Sequence, residues 1–359
     1  MTQGHLIDFN DLTKEDWQQL YDLACDIKAS PDDFNKSCVN KIIATMFYEP
    51  STRTMLSFQA AMLRLGGNVI GFDNPGVSSV AKGENLKDTV RTVGNYSDIS
   101  VIRSPFEGAA FAASLFSERP IINAGDGGHM HPTQTLADLF TLKSEKGTLS
   151  NLDIGLCGDL KNGRTVHSLL KAMTRFKDNR FYLISTHELR VPEYIKSTLL
   201  DAGNKFYEIN SIEECIGSLD MLYMTRIQKE RFSSESQYEK QKNVYCLDMK
   251  KLKSAKEDMI ILHPLPKVDE IEYDVDFDKR ALYFKQAKNG MYIRMALIIK
   301  MLEKGCEKPV KIIGGDKLRR CPNPACITNT EKYLPSLLKE TNIYGRKTLA
   351  CRYCDFNVT

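Results

Sequence analysis

The run Ser51-Thr52-Arg53-Thr54 puts three hydroxyls and a guanidinium into four consecutive residues, directly after Pro50. A strand-like segment (41–48) precedes it and a helix-like one reaching about Leu65 follows. The hydroxyls therefore fall where the free N–H groups of a helix start already face an anion. Such a cluster suits a tetrahedral phosphate, whose oxygens accept charge-assisted hydrogen bonds. An ordinary capped helix with a solvated arginine uses the same residues. A second chemical cluster lies near the C-terminus. Cys321 and Cys326, then Cys351 and Cys354, form two close pairs 24 residues apart, the spacing at which two knuckles hold one tetrahedral zinc. A redox pair at Cys351 and Cys354, or disulfides, are the competing readings. A segment of about 50 residues buries too little to hold itself together, which favours a structural metal, one per chain, with no open coordination position.

The elements that must position these residues alternate. Strand-like runs at 41–48, 68–72, 99–104 and 120–125 are separated by helix-like runs after Ser51 and at 84–93, 108–116 and 132–146. A leading helix over 8–30 is expected to open at Asn10 or Asp11. After Lys146-Gly147-Thr148 the pattern restarts, with strands at 152–158, 181–186, 205–209, 220–226 and 259–266 and a long closing helix at 281–304. This predicts an α/β chain of two doubly wound parallel-sheet domains followed by the small four-cysteine domain. Ligands of such sheets bind beyond the carboxyl ends of strands. The polar residues found there are Ser51, Thr52, Arg53, Thr54, Arg103, His131 and Gln134 in the first half. The second half supplies Arg164, Arg226, Gln228 and the turn His263-Pro264-Leu265-Pro266. Arginines on separate loops, with a glutamine amide, suit the two carboxylates of a dicarboxylate, and His131 could polarise a carbonyl. The loop 75–84, with Ser78 and Lys82 four residues apart, reads as a surface loop or as a lid that carries a cation into a site.

Composition narrows the class. A formal net charge of +3 over 359 residues is too small for a nucleic-acid or membrane surface, so anion binding must be local. No apolar run approaches a membrane span and the N-terminus lacks the marks of a signal peptide, so a cytoplasmic location is expected, with no membrane partner. Cys25, Cys38, Cys157, Cys215, Cys246 and Cys306 are scattered in apolar segments and read as reduced core residues.

Residues 47–67 (FYEPSTRTMLSFQAAMLRLGG), His131-Pro132-Thr133-Gln134-Thr135, and His263-Pro264-Leu265-Pro266 with Asp269-Glu270-Ile271 occur in an order that closely resembles the aspartate carbamoyltransferase catalytic-chain family. The likeness runs from about Ile7 to Glu303. The ornithine branch shares the Ser-Thr-Arg-Thr and His-Pro-x-Gln motifs but typically has cysteine where this chain has Pro264. The resemblance implies attack of the L-aspartate amine on carbamoyl phosphate, giving N-carbamoyl-L-aspartate and phosphate, in pyrimidine synthesis. By the same resemblance Ser51, Thr52, Arg53, Thr54 and Arg103 bind the phosphate. Thr54, Arg103 and His131 hold the carbonyl oxygen. Gln134 and the backbone at Pro264 and Leu265 position amino or amide groups, and Arg164, Arg226 and Gln228 clamp the aspartate. Ser78 and Lys82 match residues donated by a neighbouring chain, Lys82 reaching both substrates, which implies a homotrimer with shared active sites. The implied domains are 1–133 with a helix at about 285–305 for carbamoyl phosphate, 148–284 for aspartate, and 306–359 for zinc.

Met55, Ser104 and Lys267 depart from common family residues, Lys267 losing the planar fork of an arginine. The cysteine spacing, with Cys321-Pro322-Asn323, resembles the zinc domain of the family's regulatory chain. That domain is expected to dock on a catalytic chain, a neighbour's by preference, and to be available for a higher assembly. No segment matches a nucleotide-binding domain, so no CTP or ATP effector site is expected on this chain. Two alternatives stay open: another carbamoyltransferase such as the ornithine enzyme, and a non-catalytic zinc-containing scaffold or nucleic-acid-binding protein using the basic run 317–320.

Overall fold

Near-continuous apolar runs become inner strands, because a parallel sheet covered on both faces leaves no polar side. The computed structural model describes residues 4–74, 76, 79–227, 234–241, 244–307 and 320–358. Its contacts divide the chain into two units, one of residues 1–136 with 289–359, the other of residues 137–288.

The first unit is built from α1 (Lys14–Ala29), β1 (Ile42–Phe47), α2 (Thr52–Arg64), β2 (Asn68–Phe72), α3 (Leu86–Gly94), β3 (Ile99–Ser104), α4 (Ala109–Ser114), β4 (Ile121–Asp126) and the start of α5 (Pro132–Lys146). Its four strands are parallel in the order β2-β1-β3-β4. The strand order reverses between β1 and β3, where Phe47 pairs with Arg103, so the carboxyl ends of these two strands form the crevice in which such sheets take ligands. Edge strand β2 is largely exposed, whereas β3 and β4 are buried throughout.

The leading helix begins later than Asn10 or Asp11. Those residues occupy a separate 3-10 turn, Phe9–Asp11, in which Asp11 accepts the N–H groups of Ile7 and Asp8. Thr13 caps α1 instead, exchanging hydrogen bonds of 3.0 and 3.1 Å with Asp16, and this capping box satisfies two orphan donors at once.

The second unit contains β5 (Asp153–Cys157), α6 (Arg164–Met173), β6 (Arg180–Ile184), α7 (Glu193–Asp201), β7 (Lys205–Ile209), β8 (Met221–Met224), α8 (Glu235–Gln241), α9 (Met249–Leu252) and β9 (Ile260–Leu262). Five parallel strands run β7-β6-β5-β8-β9, with the order reversing between β5 and β8. The last long helix, α10 (Tyr283–Lys304), begins in this unit and ends in the first.

The four-cysteine segment forms α11 (Ile327–Thr330) and an antiparallel hairpin, β10 (Leu338–Ile343) with β11 (Arg346–Cys351). It packs on the first unit of its own chain. The backbone of Glu107 pairs on both sides of Cys326, donating to Ala325 O and accepting from Ile327 N at 2.9 Å each. Ile327, Leu334 and Tyr353 join Met46, Val90 and Ala109 in one buried apolar cluster, so docking removes apolar surface that neither partner could cover alone.

Candidate active site and metal centre

In the first unit the phosphate-type run sits at the start of α2. Ser51 is the N-cap residue, yet its hydroxyl makes no capping bond to the helix. An ordinary cap would spend that oxygen on a backbone N–H, and here it does not. Thr52 and Arg53 are exposed and Thr54 is buried. Across the crevice, Arg103 ends β3 with its side chain buried. One of its nitrogens, Nη1, donates to Ala124 O at 3.1 Å and lies 3.4 Å from Nε2 of His131, while Nη2 pairs with Glu49 at 2.7 Å. Guanidinium nitrogens only donate, so the facing ring nitrogen of His131 is the acceptor and the neutral ring carries its proton on Nδ1. Gly125 makes this approach possible: at φ +116°, a Cβ there would stand 3.0 Å from Nη1 of Arg103 and 3.5 Å from the His131 ring.

Three groups here carried no signal in the sequence. Glu49 holds the Arg103 fork. Arg294, buried on α10, donates to Ser57 on α2 at 2.9 Å, reaches Thr133 O at 3.5 Å, and stacks over Phe58 at 5.2 Å. It therefore ties the phosphate helix to the start of α5, where His131 sits. His129 is the third. Its Nδ1 is 3.1 Å from Asp126, and its Nε2 is 3.3 Å from Asp355 of the cysteine module, an ion pair rather than an aligned hydrogen bond. Burial alone would keep this ring neutral, but the two carboxylates outweigh it and push its pKa up to about 10. Gln134 lies one turn into α5 and is half-buried.

In the second unit, Arg164 opens α6 after the loop that leaves β5, and Arg226 follows β8, the strand paired with β5; both are half-buried. Asp159 pins that loop by accepting the Asn162 N–H at 3.0 Å. The turn after β9 is locked through His263, whose Nδ1 accepts from Leu265 N at 2.7 Å and whose Nε2 is 2.7 Å from Glu270. Glu270 also accepts the N–H groups of Val268 and Asp269 at 3.1 Å each. Pro264 and Leu265, half-buried, are thereby held in place, Leu265 at φ +54°. Lys82 ends the short turn Ser79–Lys82 and is exposed. Ser78 and Gln228 lie outside the described residues, as do 317–319 of the basic run.

All four sulfurs of Cys321, Cys326, Cys351 and Cys354 lie within 4.8 Å of one another. Two of the separations are 3.6 Å (Cys321 to Cys354) and 3.9 Å (Cys326 to Cys351). Those are non-bonded distances, so neither pair is a disulfide in this fold. A tetrahedral ion bonded to four sulfurs at about 2.3 Å needs edges of about 3.8 Å, and the cluster fits it. Hydrogen bonds from Cys326 and Cys354 lower the pKa of the Cys351 thiol, while those of Cys321, Cys326 and Cys354 are raised.

Two open parallel sheets, with hydroxyls and cations at the switch point of the first and arginines at that of the second, define a two-domain α/β transferase of anionic substrates. The chain belongs to the aspartate carbamoyltransferase family. Residues 4–144 match the carbamoyl-phosphate-binding domain of the aspartate/ornithine carbamoyltransferases, 150–301 match their Asp/Orn-binding domain, and 316–359 match the metal-binding domain of the aspartate carbamoyltransferase regulatory chain. An aspartate carbamoyltransferase catalytic subunit of Clostridium perfringens is 58% identical over 299 residues, covering 83% of this chain and 97% of that protein. Among solved structures, the catalytic subunit of M. jannaschii aspartate transcarbamoylase superposes with a TM-score of 0.79 at 47% identity, covering 84% of this chain and 98% of that one. The Trypanosoma cruzi enzyme in complex with carbamoyl phosphate and aspartate superposes at 0.77, with 37% identity and coverage of 82% and 95%.

Proposed function

We propose that this carbamoyltransferase joins carbamoyl phosphate to L-aspartate. The amine of aspartate attacks the carbamoyl carbon, a C–N bond forms, the C–O bond to phosphate breaks, and the departing phosphate takes up the amine proton. Ser51, Thr52, Arg53 and Thr54 hold the phosphate at the start of α2. Arg103 and His131 receive the carbonyl oxygen as negative charge develops on it, with Gln134 orienting the amide. In the second unit Arg164, Arg226 and Gln228 hold the aspartate carboxylates, with the backbone of Pro264 and Leu265 beside its amine. Nothing covalent is asked of the protein; it positions two anions and stabilises charge.

The observation that carries this reading is the buried Arg103–His131 pair, 3.4 Å apart, beside a helix start whose N-cap hydroxyl is uncommitted. Solved relatives holding both substrates support the choice of ligands. The four thiolates would hold one zinc per chain, which supplies a structural cross-link only. Exposed Leu56 and Leu63 on α2 and Ile70 on edge strand β2 offer a face to a second copy, in line with a homotrimer whose neighbouring chains donate Ser78 and Lys82. The setting is pyrimidine synthesis in the cytoplasm.

The deciding assay feeds carbamoyl phosphate with aspartate or with ornithine to the purified chain. Aspartate turnover is expected; ornithine turnover alone would refute the assignment. Arg53→Ala is expected to lower turnover by at least about a hundredfold, with the circular-dichroism spectrum unchanged.

A further inference from the structure

We infer that the four-cysteine module acts as a positioning element for Arg103 and His131, through Asp126 as the hub and His129 as the link to Asp355. The inference rests on the carbamoyl-transfer reading above and deepens it.

Asp126 is only 1% exposed, and its carboxylate gathers the loop that follows β4. It accepts from Gly108 N at 2.7 Å, Met130 N at 3.0 Å and Asn123 Nδ2 at 3.2 Å, and it faces His129 Nδ1 at 3.1 Å. Both reactive groups depend on the end of β4 and the loop that follows it. Arg103 is fixed by Ala124 O, and His131 follows Met130 directly.

The module grips Asp126 from two directions. Along the first, Glu107 is bonded by its backbone to Ala325 and Ile327 and by its carboxylate to Asn323, and the next residue, Gly108, donates to Asp126. Gly108 lies against Tyr353: at φ +82°, a Cβ there would come 2.6 Å from the Tyr353 carbonyl oxygen. Along the second, Asp355, the residue after Cys354, faces His129 at 3.3 Å and is itself paired with Lys339.

Adhesion alone does not account for the second arm. The apolar cluster around Ala109, Ile327 and Tyr353 already holds the module in place, whereas a cation buried between carboxylates carries a desolvation cost that favours position over stability. The carboxylate, imidazole and carboxylate in series fix the loop at a point two residues from His131. A shift of about 1 Å there is enough to cost up to two orders of magnitude in rate.

The test uses the full metal-loaded chain with His129→Asn, Asp355→Asn and both together. kcat, KM for each substrate, metal per chain and Tm are measured. Each single variant is expected to keep its metal and lose about tenfold in kcat, with KM for carbamoyl phosphate within twofold, because the phosphate contacts ride on α2. The double variant is expected to be no slower than the worse single, since both cut one path. Asp355→Glu should recover most of the rate. Should His129→Asn lose metal, Asp355→Asn still decides, because asparagine tolerates the φ of +61° at that position. Single variants within twofold of wild-type kcat, or a fall in Tm alone, would overturn the inference while wild-type turnover keeps the parent reading intact. A wild-type chain that does not turn over aspartate overturns both.

Discussion

Arg103 is the residue on which the first unit's chemistry converges. Glu49, Ala124 and His131 surround its planar fork, and that geometry is lost on replacement by an ammonium. Arg103→Lys is therefore expected to lower kcat by about a hundredfold although the charge is kept, as steady-state assays would show. In the second unit His263 donates from Nε2 to Glu270. Burial would raise the Glu270 pKa, but the hydrogen bonds from His263 and from the backbone of Val268 outweigh burial and lower it. Glu270→Ala frees the 263–270 turn and should raise KM for aspartate by roughly tenfold, leaving KM for carbamoyl phosphate unchanged. At this scale the sequence singled out Ser51, Thr54, Arg103 and His131 because each lies at or beyond the carboxyl end of a strand. It passed over His129, since a histidine inside a Gly-rich loop carries no spacing that marks it, and its partners lie at positions 126 and 355.

Among the elements, α10 does more than close the second unit. Its pattern announced a long closing helix, and nothing in that pattern marked Arg294, a buried arginine that needs partners. The side chain braces α2 against the start of α5. Arg294→Met should cost about 2–3 kcal/mol of stability, read as a lower denaturant midpoint at unchanged m. α1 shows the opposite limit. Asn10, Asp11 and Thr13 are all competent caps, and only the reciprocal bonds between Thr13 and Asp16 decide among them. Gly108, on the loop before α4, is as demanding as any helix cap: Gly108→Ala should undock the module at a cost of about 1–3 kcal/mol through its strained φ and the contact with Tyr353.

Across the whole molecule, lowered carboxylates make stability sensitive to acid. Asp153 is held low by hydrogen bonds from Arg180 at 2.5 and 2.7 Å, and Asp278 by Arg280. A carboxylate lowered in the folded state contributes stability that is present above its unfolded pKa of about 4 and is lost as pH falls through the lowered value. Urea midpoints should therefore fall as pH drops below about 4, and Arg180→Gln should flatten that slope. Removing the metal should act at neutral pH. Chelation is expected to lower Tm and to uncover the apolar cluster shared by Ala109, Ile327 and Tyr353, detectable as dye binding. Sequence patterning conveyed two parallel sheets and a cysteine module, because strand hydrophobicity and thiol spacing are local. Where the module rests was not legible: it depends on how Glu107 and Gly108 fit Cys326 and Tyr353, residues more than two hundred positions apart.

The packing of the module on its own chain has a consequence for dilution. When a brace arrives as a separate polypeptide, its occupancy follows protein concentration, and a cell must balance two syntheses. Here the brace belongs to the same chain, so its docking is intramolecular and does not depend on protein concentration. Every chain carries its own, in one-to-one ratio, and dilution leaves it seated.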